Sequence, residues 1–198
     1  MSKPIWPLLG QTPLFPDAPG QFAALRTHET HTGVDLYCDV AQSVVAMEDG
    51  VVANVEPFTG AHVVDAPSPW WNNTWAVLVE GPSGVIAYGE IQPCVAIGQC
   101  VVAGERVGTI LPVLRTFKGR PMVMLHLELL RSGTLATTTW WNDTTRPDHL
   151  LDPTPLLRRA SGELFPRTFD LGHYDGRRFR DALAPTNIRY RFGDKLQR

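Results

Sequence analysis

Short runs of β-compatible residues separated by glycine-marked turns dominate residues 26–157 and restrict the fold more than any other feature. A glycine or proline interrupts these runs about every dozen residues, which is the spacing of short strands joined by turns. No segment before residue 150 shows the periodicity of an amphipathic helix. The pattern therefore predicts an all-β domain built on an antiparallel sheet.

The same pattern predicts the individual strands and some of their pairings. Asp49-Gly50 is a tight-turn dipeptide, so we expect residues 43–47 and 51–55 to form a hairpin. Gly81-Pro82-Ser83-Gly84 predicts a second hairpin, and a third hairpin-like unit is expected between residues 98 and 110. The predicted strands are 34–37, 43–47, 51–55, 75–80, 85–90, 101–102, 107–110 and 122–130.

The two ends of the chain differ from this central domain. Residues 1–25 are rich in proline, which excludes a helix and predicts an extended lead-in. Residues 1–157 hold 8 Lys or Arg and 15 Asp or Glu, whereas residues 158–198 hold 10 and 5. We therefore divide the chain into the lead-in, a domain over 26–157 and a basic C-terminal arm over 158–198. Within this arm, polar and apolar residues alternate over 187–192, which predicts an edge strand. Neutralising the acidic body is the simpler role for this arm, and binding an anionic polymer is the alternative.

Bulk composition excludes several classes of protein. With 43% hydrophobic and 19% charged residues, the chain has the composition of a globular protein. The net charge of −2 gives no sign of a nucleic-acid binder, and no apolar run is long enough to span a bilayer. The N-terminus lacks the apolar core of a secretory signal, so we expect a cytoplasmic protein unless export follows another route. We expect the three cysteines to be small buried hydrophobes, with a Cys94–Cys100 pair as the alternative.

Two distant stretches carry residues that can bind a metal. His31 and Asp35 are four residues apart at the start of an apolar run, so on an extended segment both side chains point to the same side. In the run over 122–130, the period of two places Met124, His126 and Glu128 on one face, with leucines on the other. Imidazole and carboxylate groups suit zinc. A half-buried structural histidine is the alternative interpretation of His126.

An ordered set of motifs resembles the lysostaphin-type (LytM-like) zinc metallopeptidases over roughly residues 26–157. The resemblance implies an antiparallel β-sheet with a groove over it, and zinc held by His31, Asp35 and His126. It also implies cleavage of peptide cross-links in bacterial cell walls, often Gly-Gly bonds or bonds of D-amino acids. The motifs are His31-Thr32-Gly33-Val34-Asp35, Val44-Val45-Ala46, Gly50-Val51-Val52, Tyr88-Gly89-Glu90-Ile91, residues 95–98, Val101-Val102-Ala103-Gly104, Val107-Gly108 and Leu125-His126-Leu127-Glu128-Leu129.

This chain departs from the family at two catalytic positions. The family motif Tyr-x-His-Leu reads Tyr88-Gly89-Glu90-Ile91 here, and His-Leu-His reads Met124-Leu125-His126. Both histidines that do not bind zinc are therefore replaced. Glu90 can still act as a general base, whereas Met124 can neither accept a proton nor polarise a carbonyl.

Several other residues have two interpretations. A histidine from elsewhere (His28, His62 or His149) could assist Glu90. Glu128 is expected either to hydrogen-bond a ligand histidine or to be a structural carboxylate. Tyr88 either leans into the groove or packs in the core. The Trp70-Trp71 and Trp140-Trp141 pairs line the groove or cover the core.

The leading hypothesis is a zinc-dependent hydrolase acting on peptidoglycan peptides or another peptide, with Glu90 as base. The competing hypothesis is a zinc-bearing pseudoenzyme that binds a peptide or a partner protein. A structural component of a phage or secretion apparatus is a third hypothesis.

Overall fold

A computed structural model describes residues 3–64, 67–116 and 122–162. Within these residues the strands pair antiparallel, and a single short helix follows them. The all-β, antiparallel fold predicted from the sequence is therefore confirmed. The elements are β1 (Val34–Tyr37), β2 (Ser43–Val45), β3 (Gly50–Thr59), β4 (Thr74–Gly81), β5 (Gly84–Pro93), β6 (Cys100–Val101), β7 (Arg106–Ile110), β8 (Met124–Leu130), β9 (Leu150–Leu151) and α1 (Thr154–Ser161).

Strand β5 is central to the sheet and changes its pairing partner along its length. The main strand order is β1-β8-β5-β4-β3-β6, and β4 pairs with β5 along one side. On its other side β5 pairs with β8 through residues 85–89 and then with β7 through residues 91–93. Glu90 is the residue between these two pairings. The change of partner thus occurs at the position that departs from the peptidase motif.

Strand β8 separates the hydrophobic core from the polar site, as its alternation predicts. Leu125, Leu127 and Leu129 pack into the main core cluster. His126 and Glu128 point the other way and are nevertheless buried. Burying each leucine contributes roughly 1.5–3 kcal/mol, so the register of β8 is strongly fixed. A fixed register in turn fixes the position of His126.

The predicted hairpin between residues 43–47 and 51–55 is wrong. Strand β2 pairs with β7, whereas β3 pairs with β4 and β6. Backbone hydrogen bonds of the intervening segment go elsewhere, because the Val45 and Ala46 amides donate to Pro7 and Glu105. Glu48 is also buried and accepts hydrogen bonds from the amide and hydroxyl of Ser83. These long-range contacts overrule the local preference of Asp49-Gly50 for a hairpin turn.

The other two predicted hairpins have different outcomes. Strands β4 and β5 form the predicted hairpin through Pro82 and Ser83, with Gly81 opposite Gly84. Strands β6 and β7 do not pair with each other, so the third hairpin-like unit is wrong. Strand β6 instead pairs with β3, and β7 pairs with β2 and with β5.

The lead-in lies along the sheet without helical structure. Leu8 forms an isolated bridge with Val44, and the Ile5 amide donates to Met47. The predicted edge strand at 187–192 and most of the basic arm lie outside the described residues. No helix of the described ranges is long and apolar enough to cross a bilayer.

The cysteines differ from their predicted environment. Cys94 and Cys100 are exposed and unpaired, and Cys38 is half-buried. The expectation that all three are buried hydrophobes is therefore wrong. The alternative Cys94–Cys100 disulfide is absent from the structure as well.

Candidate metal centre

His31, Asp35 and His126 come together in one buried group, as the sequence predicts. Asp35 on β1 lies directly opposite His126 on β8. Asp35 Oδ1 is 2.9 Å from His126 Nδ1 and 3.1 Å from His31 Nε2. The two ring nitrogens are 3.1 Å apart. Three potential ligand atoms thus form a nearly equilateral triangle.

The outward nitrogens of both histidines have acceptors that fix the ring orientation. His31 Nδ1 is 2.8 Å from the Gln21 carbonyl oxygen, so Nδ1 carries the proton and Nε2 presents a lone pair. His126 Nε2 is 3.1 Å from Glu128 Oε1. Glu128 is in turn held by the Thr32 hydroxyl at 2.6 Å. Of the two expectations for Glu128, the hydrogen bond to a ligand histidine is therefore the one observed.

The electrostatics of the group follow from its burial and its two carboxylates. Burial would lower the pKa of His126, but the hydrogen bonds that its ring donates to Asp35 and Glu128 outweigh burial and raise the pKa to about 10. For His31, burial dominates and lowers the pKa. Burial would raise the pKa of Asp35, but the hydrogen bond from His126 and the proximity of the two histidines keep it well below its usual range. Without metal, the group is therefore an ionised aspartate facing a protonated His126.

Arg26 completes the surroundings of Asp35 and was not anticipated from the sequence. Its guanidinium donates to Asp35 Oδ2 and to the Pro19 carbonyl oxygen. This contact occupies the oxygen that faces away from the histidines and leaves Oδ1 for the triangle. No motif spacing points to Arg26, because the contact depends on how residues 19–35 fold back on themselves.

These residues fit a zinc ion. In a tetrahedral site with bonds of about 2.0–2.1 Å, ligand atoms lie about 3.3 Å apart, close to the edges of this triangle. Two neutral imidazoles and one carboxylate are donors that zinc accepts, and three protein ligands leave one position open. Glu128 Oε2 is buried and has no hydrogen-bond partner among the described residues. A cation bound in the neighbouring group would therefore be favourable for this carboxylate.

Gly33 allows β1 to approach β8 closely. A Cβ at this position would lie 2.5 Å from the Leu127 carbonyl oxygen and 2.8 Å from His126 Nε2. Gly89, opposite His126 on β5, is different because the three atoms nearest to a Cβ there all belong to the ring of Phe58, the closest at 2.6 Å. The Phe58 ring also packs on His126, with centroids 5.2 Å apart.

We expect Gly33→Ala to destabilise the protein by about 1–3 kcal/mol and to weaken zinc binding by roughly 10–100-fold. The reason is that the added methyl group meets backbone on one side and the ring of His126 on the other. Urea denaturation and zinc titration measure the two effects. Gly89→Ala is the matched control, with a smaller loss of stability because the Phe58 ring can rotate away. Equal losses in the two variants would contradict this account of Gly33.

Glu90 lies at a β-bulge beside this group. The β4–β5 register shifts between Trp75 and Val77, and Glu90 has a φ of 65°, which is unusual for a residue other than glycine. Its Oε2 accepts hydrogen bonds from the Thr74 hydroxyl at 2.8 Å and the Thr59 hydroxyl at 3.1 Å. Glu90 is not part of the metal-ligating group.

The environment of Glu90 favours its protonated form. Burial raises the pKa of this carboxyl to about 7, although the hydrogen bonds from Thr74 and Thr59 and the nearby His126 act in the opposite direction. A carboxyl group with this pKa can both take up and release a proton near neutral pH.

The remaining candidates do not join the group. Met124 is buried at the end of β8 that pairs with Tyr37. Tyr88 is buried in the core, and its hydroxyl accepts the Met47 amide hydrogen bond, so the core interpretation holds. No contact between His28, His62 or His149 and the three ligand residues is found among the described residues. His62 hydrogen-bonds the Thr74 carbonyl, and His28 is exposed.

The tryptophans lie at the periphery. Trp70 and Trp141 are exposed, at 61% and 50%. Trp140 instead packs against the smaller core cluster and Phe22. Trp140 therefore has the predicted covering role, and Trp71 is half-buried and forms a bridge with Leu114.

Comparison with solved structures finds similar proteins at low sequence identity. No family model matches the sequence. The chain is similar to lysostaphin, with 18% identity over 70% of this chain and 48% of that chain and a TM-score of 0.44. It is similar to LytM from Ruminococcus gnavus (21% identity, 66% and 47% coverage, TM-score 0.40) and to an M23 peptidase from Pseudomonas aeruginosa (17%, 78% and 53%, TM-score 0.40). The chain thus spans about half the length of these proteins. Its structure neighbours are lysostaphin, LytM and M23 peptidases, the family that its sequence motifs resemble.

Proposed function

We propose that this protein is a zinc-dependent peptidase of the lysostaphin type that hydrolyses peptide bonds in peptidoglycan or a related peptide. The observation that carries the proposal is the triangle of His31 Nε2, Asp35 Oδ1 and His126 Nδ1, with edges of 2.9–3.1 Å. A bound zinc ion would supply Lewis-acid activation of water and polarisation of the scissile carbonyl. The substrate class rests on the motif resemblance.

The roles of the protein's own residues follow from their surroundings. Gln21 and Glu128 orient the two histidines, and Arg26 keeps Asp35 turned toward them. Glu90 is the general base, which takes a proton from the attacking water and delivers it to the leaving amine. Its pKa of about 7 suits both halves of this exchange.

A zinc-bearing binding module is the second candidate function. Met124 replaces a catalytic histidine and is buried, and no described contact brings His28, His62 or His149 to the group in its place. Loss of one such group typically costs 10²–10³-fold in rate. A groove that binds a peptide without cutting it is consistent with this loss.

Metal analysis combined with a cleavage assay separates these candidates. The full chain is purified, its zinc is measured by mass spectrometry, and it is incubated with pentaglycine and with peptidoglycan fragments. We expect one zinc per chain and slow cleavage that a chelator abolishes. One zinc per chain with binding but no cleavage would favour the binding module. Absence of zinc under zinc-replete conditions would contradict both candidates.

A further inference from the structure

Two threonine hydroxyls surround one oxygen of Glu90. Thr59 ends β3 and Thr74 begins β4, and the two residues are 7% and 0% exposed. Their hydroxyl oxygens are 2.8 Å apart, and both lie within 3.1 Å of Glu90 Oε2. Hydrogen bonds to the other oxygen, Oε1, are not found within the described part of the chain. The two oxygens of Glu90 are therefore in different environments.

The threonines can serve both protonation states of Glu90. When Glu90 is ionised, each hydroxyl donates its proton to Oε2. When the carboxyl is protonated on Oε1, Oε2 can still accept from Thr74, and Thr59 can donate either to Oε2 or to the Asn72 carbonyl oxygen, which is 3.3 Å away. Both threonine hydroxyls therefore have an acceptor in either protonation state of Glu90.

The hydrogen-bond partners of the Glu90 carboxyl are neutral hydroxyls. Asp35, the neighbouring buried acid, is paired with Arg26, but no lysine or arginine of the described ranges contacts Glu90. Neutral hydroxyls leave the carboxyl able to change its charge, whereas a cation would keep it ionised. Glu90 also has a φ of 65°, a conformation that is unfavourable for a residue other than glycine and is concentrated at functional sites.

We propose that Thr59 and Thr74 are positioning residues that hold Glu90 through Oε2 in both protonation states and leave Oε1 to exchange the proton. This inference rests on the proposed function. In the exchange, an O–H bond of the attacking water breaks and an Oε1–H bond forms. The Oε1–H bond then breaks as the proton passes to the leaving nitrogen. Both threonines are β-branched and lie on paired strands, so their side chains have little rotamer freedom and the carboxyl is held in one place.

The test compares Thr74→Val and Thr59→Val with Thr74→Ser and Thr59→Ser in the full chain. Valine keeps the shape of threonine without its hydroxyl, and serine keeps the hydroxyl. Carbon-13 NMR of labelled glutamate follows the titration of Glu90 in metal-free protein, and the pH dependence of kcat and of KM is measured on zinc-loaded protein. Each valine variant should raise the pKa of Glu90 by about one unit, because it removes a hydrogen bond to the ionised carboxylate that solvent or the remaining hydroxyl replaces only in part. We expect kcat to fall roughly 10-fold at unchanged KM, with recovery in the serine variants.

The outcomes distinguish this inference from the proposed function. Unchanged Glu90 titration in both valine variants would overturn the positioning role, whatever the activity. The other informative result is a pKa of Glu90 that shifts in the valine variants and recovers in the serine variants, in a protein that cleaves no substrate. This result would support the positioning role of the threonines and overturn the peptidase proposal. If Thr74→Val does not fold, Thr59→Val decides the question, because Thr59 makes the longer contact and lies at the end of its strand.

Discussion

Replacing His126 with alanine is expected to abolish stoichiometric zinc binding and to destabilise the metal-free protein by about 3–5 kcal/mol. The imidazole lies between Asp35 and Glu128, at 2.9 Å and 3.1 Å, and all three side chains are buried. Its removal takes away one of three ligands and leaves two buried carboxylates without their shared partner. Zinc analysis and urea denaturation measure the two losses.

The stabilisation by His126 should depend on pH in a defined direction. Its pKa is raised from 6.5 to about 10 in the folded protein, so the folded state binds the proton more tightly than the unfolded state. The contribution is fully present below about pH 6.5 and is lost as the pH rises through about 10. His28→Ala, at an exposed histidine without a contact to the group, is the control and should change neither zinc content nor stability. Retention of one zinc per chain in the His126 variant would show that the ligand set is wrong.

Glu90→Gln is expected to lower kcat roughly 10²–10⁴-fold while one zinc per chain is retained. Glutamine fits the same space and can still accept the hydrogen bonds from Thr59 and Thr74, but it cannot take up a proton. In the unmodified protein, the proposed role predicts that kcat rises with pH through about 7, as Glu90 becomes ionised. Full activity of the Glu90→Gln variant would exclude Glu90 as the base. So would a kcat of the unmodified protein that does not rise with pH through about 7.

The same substitution should stabilise the metal-free protein at neutral and alkaline pH. The pKa of Glu90 is raised from 4.5 to about 7, so ionisation costs more in the folded state than in the unfolded state. This penalty is absent below about pH 4.5, grows between pH 4.5 and 7, and is on the order of 3 kcal/mol above pH 7. Thermal denaturation at several pH values should therefore show a gain for Glu90→Gln that disappears in acid. A gain that is independent of pH would indicate a cause other than ionisation.

The parts of the structure that could be predicted from sequence are those set by local periodicity. The alternation of β8 placed Leu125 and Leu127 in the core and His126 opposite them, because burial of leucine enforces one register. The even spacing of His31 and Asp35 similarly placed both side chains on one side of an extended segment. Their meeting with His126 needed more than periodicity, and it was the order of motifs that brought the two stretches together.

The parts that could not be predicted depend on contacts between distant residues. Asp49-Gly50 has the local chemistry of a hairpin turn, yet β2 pairs with β7 because the backbone donors around Val45 are satisfied by the lead-in and by Glu105. Arg26 and the carbonyl group of Gln21 carry no sequence signal, because their role arises only when the chain folds back. The bulge at Glu90 likewise arises from a change of strand partner, which no local pattern reveals.

The segment before His31 has a consequence for how this protein can be divided. The carbonyl groups of three successive residues hold the metal-ligating group in place, because Pro19 accepts from Arg26, Gly20 from the Asp35 amide and Gln21 from the His31 ring. All three belong to the proline-rich stretch that sequence patterning separates from the domain. A shortened protein that begins at residue 26 would keep every ligand and lose the scaffold that orients two of them. Fragments designed from the motif boundaries alone are therefore expected to bind metal more weakly than the full chain. Residues 19–25 should be kept whenever the domain is fused to another protein or expressed by itself.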